Sequence, residues 1–173
     1  MYKKILVPID GSETSKRGLQ EAIRLAQDQS ARLQILTVAE EYRLLEGTGI
    51  DGGLYTGEML DLLIAGSKQL VEEAVAEAKR NGVAATGTTI ESISSRPAEC
   101  VIEAARNWPA DLIVMGTHGR RGIKRAVLGS DAEMVLRNAE VPVLLVRATG
   151  KEATQSLSQT NQNSQAPQAA GVA

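Results

Sequence analysis

Between Met115 and Asp131 the chain reads Met-Gly-Thr-His-Gly-Arg-Arg-Gly-Ile-Lys-Arg-Ala-Val-Leu-Gly-Ser-Asp, and its residue types suit the capture of an anion. Gly116 and Gly119 stand where the backbone must turn sharply and expose N–H groups. Close approach and positive φ are the services a glycine offers there. Gly129-Ser130 stands where a helix begins, with its first amides unsatisfied and positively polarised. Arg120, Arg121, Lys124 and Arg125 add cations inside the same segment. Strand, glycine turn and helix follow in the order that open α/β sheets use to hold phosphates. His118 either hydrogen-bonds backbone or meets the ligand. Ser130 and Glu133 have capping-box spacing, and a capping Ser130 hydroxyl could still donate its hydrogen to an anion. The Asp131 carboxylate would repel phosphates unless it turns away or Mg²⁺ bridges them.

These residues need elements to position them, and the apolar patterning supplies them. Asp111-Leu-Ile-Val-Met and Lys4-Ile-Leu-Val-Pro-Ile-Asp are continuous apolar runs of the kind buried on both faces of a central parallel strand. The first strand spans 3–9, with Pro8, which cannot donate a ladder hydrogen bond, near its exit. Asp10-Gly11-Ser12 then turns into a helix from Ser15 to about Gln29, striped by Leu19, Ala22, Ile23 and Ala26. Asp10 thus sits at the carboxyl end of a central strand, where ligands bind, or else it shapes the turn and caps the helix. The second strand, from Arg32, ends near Val38 beside Asp10. A helix from Glu58 to Arg80 closes at Asn81-Gly82 as a left-handed cap. The Thr-rich third strand, Ala84 to about Ile90, suits a sheet edge. Pro97 and Glu99 open a helix to about Asn107, whose stripe is Ala98, Val101, Ile102 and Ala105. Cys100 lies on the other side of that helix and is expected to be accessible. Val141 to Arg147 forms the last strand. Five strands alternating with four helices predict a single α/β domain, a doubly wound five-stranded parallel sheet with helices on both faces.

Three blocks occur in order: Lys4-Ile-Leu-Val-Pro-Ile-Asp-Gly-Ser, then Asp111-Leu-Ile-Val-Met-Gly-Thr-His-Gly with Gly-x2-Gly-x9-Gly-Ser spacing, then Val141-Pro-Val-Leu-Leu-Val-Arg. Together they resemble the universal stress protein family, in its ATP-binding subgroup. The resemblance implies strand order 3-2-1-4-5, which brings Asp10 and Gly116 to one crevice. It also implies an adenine-nucleotide site built from Pro8, Asp10, Ser12, the backbone at Val38, Met115, Gly116, His118, Gly119, Arg120, Gly129, Ser130 and Asp131. ATP is the implied ligand, with AMP or ADP as alternatives, and the Asp131 carboxylate, rather than the resemblance, brings in Mg²⁺ as a candidate bridging cation. The family often has an uncharged residue where Asp131 stands, and that departure sharpens the question of the cation.

The same strand order leaves the last strand at an edge, with Val141, Val143, Leu144, Leu145 and Val146 apolar on both of its faces. Such an edge invites pairing with another chain. Two-fold antiparallel pairing would cover it in a homodimer, and the family resemblance implies the same interface.

Composition narrows the classes. The chain has 173 residues, enough for one core, and a formal net charge of −2, so the basic segment is a local exception in a mixed-charge protein. Nucleic acid is not an expected partner. Phe is absent and only one Trp and three Tyr occur, which leaves few platforms for base stacking. A single cysteine excludes an internal disulfide, no apolar run is long enough for a bilayer span, and the start runs directly into a strand, so a cytoplasmic location is expected. Gly47-Thr-Gly-Ile-Asp-Gly fits the dinucleotide expression G-x-G-x-x-G. It neither directly follows a strand nor opens a helix, and reads as a surface loop. Residues 149–173, rich in Gln, Ala, Ser, Thr and Asn, are expected to form a disordered tail after a 1–148 domain.

No Walker A lysine loop, nucleophile elbow or paired-carboxylate motif accompanies the glycines. The expectation is therefore a regulatory adenine-nucleotide-binding protein whose ATP hydrolysis, if any, is slow. Two alternatives stand beside it: a dimeric interaction module of the same fold without nucleotide, and an ATP-using enzyme with a co-substrate held near residues 40–57.

Overall fold

The computed structural model describes residues 1–40, 57–92, 95–119 and 128–147. Four features read from the sequence lie outside them: the Gly47–Gly52 pattern, Arg120, the other cations Arg121, Lys124 and Arg125, and the segment 149–173. Among the described residues the strands are β1 (Lys4–Pro8), β2 (Arg32–Glu40), β3 (Ala85–Ser92), β4 (Leu112–Gly116) and β5 (Val143–Val146). All pair in parallel, in the order β3-β2-β1-β4-β5 that the sequence implied. The intervening helices are α1 (Glu13–Gln29), α2 (Gly57–Arg80), α3 (Pro97–Asn107) and α4 (Ser130–Asn138).

Strand alternation divides the core into two layers. Ile5, Val7, Leu33, Ile35, Leu112 and Val114 pack with the α1 stripe Leu19, Ala22, Ile23 and Ala26 and with Val71, Ala74 and Ala78 of α2. Leu6, Leu36, Ile113 and Met115 face the other way, onto Ala98, Val101, Ile102 and Ala105 of α3 and Ala132 and Val135 of α4. Burial on both faces explains why β1 and β4 are apolar throughout. The third strand lies at an edge, as its polar sequence predicted.

Two local devices bring the carboxyl ends of the strands into line. The Asp111 carboxylate accepts the backbone N–H groups of Lys3 at 2.7 Å and Lys4 at 3.1 Å, which clips the start of β1 to the start of β4. At the far end α1 packs tightly on β4. An added Cβ on Gly116 would stand 2.7 Å from the Thr14 hydroxyl and 2.9 Å from the Ser15 nitrogen. Gly116 therefore serves helix–strand packing as well as the turn. Asn81-Gly82 ends α2 as expected, with Gly82 at φ 75°.

Candidate functional site

A cavity of about 310 Å³ opens where the strand order reverses, at the carboxyl ends of β1, β2 and β4. Pro8, Ile9 and Asp10 line it from the end of β1, and Leu36 and Val38 from β2. Met115, Gly116, His118 and Gly119 contribute the end of β4 and its exit, while Gly129, Ser130, Asp131, Ala132 and Val135 contribute the start of α4. Motifs more than 100 residues apart in the sequence thus share one wall, because β1 and β4 are neighbours in the sheet. Of the site residues expected from the sequence, Ser12 does not line the cavity and Arg120 lies outside the described residues.

Ser12 caps α1 instead. Its hydroxyl accepts the N–H of Ser15 at 3.2 Å and donates to the Asp10 carboxylate at 2.6 Å. Asp10 also accepts the Ser12 N–H at 3.0 Å, and the turn between them needs Gly11 at φ 82°. One Asp10 carboxylate oxygen shapes the turn, while Ser12 rather than Asp10 caps the helix, and Asp10 also lines the cavity. The sequence missed Ser15, whose hydroxyl accepts the Asp10 N–H at 3.4 Å and donates to the Ser12 carbonyl at 2.9 Å.

β2 runs past the end of β1, whose last paired residue is Pro8, opposite Leu36. The Leu36 carbonyl accepts the N–H of Ile9 at 2.7 Å, so it points toward β1. Two residues on, the N–H and C=O of Val38 point to the same side, where no strand continues and the cavity lies.

Backbone bonds also hold the glycine turn. Thr117 N–H donates to the Val146 carbonyl on β5 at 2.9 Å, and Gly129 N–H returns to the Thr117 carbonyl at 2.9 Å. The His118 carbonyl accepts the Thr14 hydroxyl from α1. The imidazole of His118 meets the Thr117 hydroxyl through Nδ1 at 2.9 Å, whereas its Nε2 is buried with no partner among the described residues. Neither Gly119 nor Gly129 takes the expected positive φ. Their need is steric: an added Cβ would meet Asp10 Oδ2 at 2.8 Å from Gly119, and the Thr117 carbonyl at 3.3 Å from Gly129.

The capping box read from Ser130 and Glu133 does not form with Ser130 as cap. Gly129 is the extended residue before α4, at φ −66° and ψ 147°, because its N–H is tied back to Thr117. Ser130 is already helical, so its hydroxyl is released from capping and sits beside the first amides of α4. Asp131 follows it in the first turn and lines the cavity. Among the described residues no group of three or more His, Cys, Asp or Glu side chains gathers to hold a metal ion.

The sequence also missed the apolar floor. Pro97, Ala98 and Val101 line the cavity because α3 begins where β1 and β2 end. Cys100, expected to be accessible, is 6% exposed. Ser92, the last residue of β3, is tied to Ser95 at 3.0 Å and lies against the thiol. Burial pushes the Cys100 thiol above its ordinary pKa, with a smaller opposing effect from the Ser92 hydrogen bond.

β5 occupies the outer edge of the sheet. Leu144 is 36% exposed, while Val143 and Leu145 pack on the α3/α4 layer and Val146 on the α1/α2 layer. Val141, expected in the strand, precedes it and packs against the α3/α4 layer.

A doubly wound parallel sheet with a glycine turn and a helix start facing its switch point defines an α/β protein of the Rossmann-like class. The model of the universal stress protein family matches residues 1–147, and the chain belongs to that family. It is 35% identical over 156 residues to universal stress protein MJ0531 of Methanocaldococcus jannaschii, covering 88% of this chain and 86% of that one. The solved structure of MJ0577 from the same organism superposes with a TM-score of 0.73 at 27% identity, over 87% of this chain and 99% of that one. A universal stress protein in complex with cAMP superposes with a TM-score of 0.61 at 26% identity, over 86% and 98%. Among the described residues no helix is long and apolar enough to cross a membrane.

Proposed function

We propose that this chain binds an adenine nucleotide, ATP above all, in the switch-point cavity, and acts as a regulatory protein rather than as a fast enzyme. One observation carries the reading: Asp10, the backbone side of Val38, the glycine turn and the first amides of α4 all border the same cavity of about 310 Å³. That volume lies at the lower end of small-molecule sites, ~300–1,000 Å³. The apolar floor of Leu36, Ala98, Val101 and Val135 suits a flat base, whose edge Val38 can read with one N–H and one C=O. The opposite wall suits phosphate, since the glycine turn brings backbone to the cavity and α4 starts there with its first amides. Ser130 is free of capping and can donate a hydrogen bond. Mg²⁺ would balance the Asp131 carboxylate against the phosphates, with Asp10 and Asp131 as the cavity's own oxygen donors. The bound cAMP of the family relative supports adenine as the base.

Mass spectrometry of gently denatured protein tests the reading, with ATP, ADP or AMP expected to co-purify. Thermal melting with added Mg-ATP tests it again. An empty protein whose melting temperature ignores Mg-ATP would overturn it. Turnover above ~1 s⁻¹, near the low end of ordinary enzymes, would instead favour the ATP-using enzyme with a co-substrate. The homodimer belongs to the same proposal, with β5 pairing antiparallel about a two-fold axis and Leu144 meeting its copy.

A further inference from the structure

The first turn of α1 contains a buried hydroxyl that the nucleotide reading leaves unused. Thr14 is 8% exposed, does not line the cavity, and donates its hydroxyl hydrogen to the carbonyl of His118. Ser12 Oγ also lies within reach of that carbonyl, at 3.5 Å. Its single hydrogen is committed to the Asp10 carboxylate at 2.6 Å, which leaves Thr14 as the donor.

The peptide between His118 and Gly119 is planar and trans, so its N–H points opposite to its C=O. Holding the carbonyl against α1 therefore turns the Gly119 N–H away from α1. The Gly119 nitrogen faces the start of α4, where an added Cβ on Gly129 would come within 4.0 Å of it. The flanking carbonyl and N–H groups are fixed from other sides, Thr117 N–H by β5 and the Thr117 carbonyl by Gly129. Only the Thr14 hydroxyl sets the rotation of this one peptide among the described contacts. We infer that Thr14 is a positioning residue for the phosphate wall: by holding the His118 carbonyl, it keeps the Gly119 amide aimed at a ligand phosphate. The inference rests on the nucleotide reading above.

The hydroxyl, not the side chain's bulk, carries the effect, so Thr14→Val and Thr14→Ser part in opposite directions. Titration calorimetry with Mg-ATP and with adenosine is the assay. Thr14→Val weakens Mg-ATP by about tenfold, the scale of one hydrogen bond to a charged group, and changes adenosine by less than about twofold. Thr14→Ser restores ATP affinity although it lacks the methyl group. In the wild type the ¹H–¹⁵N resonance of Gly119 moves on adding Mg-ATP, and in Thr14→Val that shift is lost. A folded Thr14→Val protein with wild-type ATP affinity, or equal losses for both ligands, overturns the inference and leaves the nucleotide reading standing. Wild-type protein that binds neither ligand overturns both. If Thr14→Val does not fold, Thr14→Ala against Thr14→Ser reads the same contrast, and equal ATP affinities in that pair refute it.

Discussion

Replacing Gly119 with alanine is the smallest change that tests how the cavity is built. The new Cβ would stand 2.8 Å from Asp10 Oδ2, where ordinary contacts begin near 3.4 Å, so about 0.6 Å must be found. Asp10 does not retreat freely, because its other oxygen holds the Ser12 N–H at 3.0 Å and the Ser12 hydroxyl at 2.6 Å. A hydrogen bond to a charged group contributes about 1.5–3 kcal/mol, and each 1.4 kcal/mol is tenfold in affinity. Retreat of the carboxylate with loss of one such bond therefore weakens binding between about tenfold and a hundredfold. If the turn moves instead, the Gly119 amide leaves its place and the loss is similar. Gly119 is exposed, so the fold tolerates the shift. The melting temperature of the ligand-free protein should fall by no more than about 4 °C, the shift for roughly 1 kcal/mol in a domain of this size. Titration calorimetry with Mg-ATP beside thermal melting reads both quantities. A folded Gly119→Ala variant with wild-type affinity would refute the packing of the turn against Asp10 as a condition for binding.

Neutralising Arg120, Arg121, Lys124 and Arg125 together should weaken ATP more than adenosine, with the difference shrinking in high salt, where screening lengths fall to ~3 Å; equal losses for both ligands would remove these cations from the phosphate. Leu144→Lys should convert a sedimenting dimer to monomer, because Leu144 is the exposed side chain of the β5 edge, and Val146 is a poor site for the same change since it packs on the α1/α2 layer. A wild-type protein that sediments as a monomer at micromolar concentration would end the dimer proposal. Cys100 should resist alkylation at pH 8 in the folded protein and react readily once unfolded, as mass spectrometry would record. The raised thiol pKa also means that any stability it contributes is complete below the ordinary thiol value of 9.0 and is lost as pH rises through the folded value. Rapid labelling of the native protein would show that the thiol is open to solvent.

What the sequence determined by itself was local in origin or held in repeating patterns. Continuous apolar runs marked β1 and β4 because both of their faces are covered, and Asn81-Gly82 marked the end of α2 because a left-handed cap favours glycine. The strand order came from the resemblance of three blocks, and with it the meeting of Asp10 and Gly116 at one cavity. The tertiary structure decided what depends on a partner distant in the chain. Ser12 and Ser130 have the same residue type and the same nominal capping chemistry. Yet Ser12 caps its helix, while Gly129, pinned to the Thr117 carbonyl, starts α4 before Ser130 can. Cys100 lies off the apolar stripe and is buried all the same, because helical periodicity describes one face while Ser92, at the end of β3, lies against another. Gly119 is needed for an absent Cβ rather than for its φ, since the obstacle is a carboxylate 109 positions earlier in the chain. Periodicity and turn preference act over a few residues, whereas the wall of this cavity is made by contacts that exist only after the crossovers have closed.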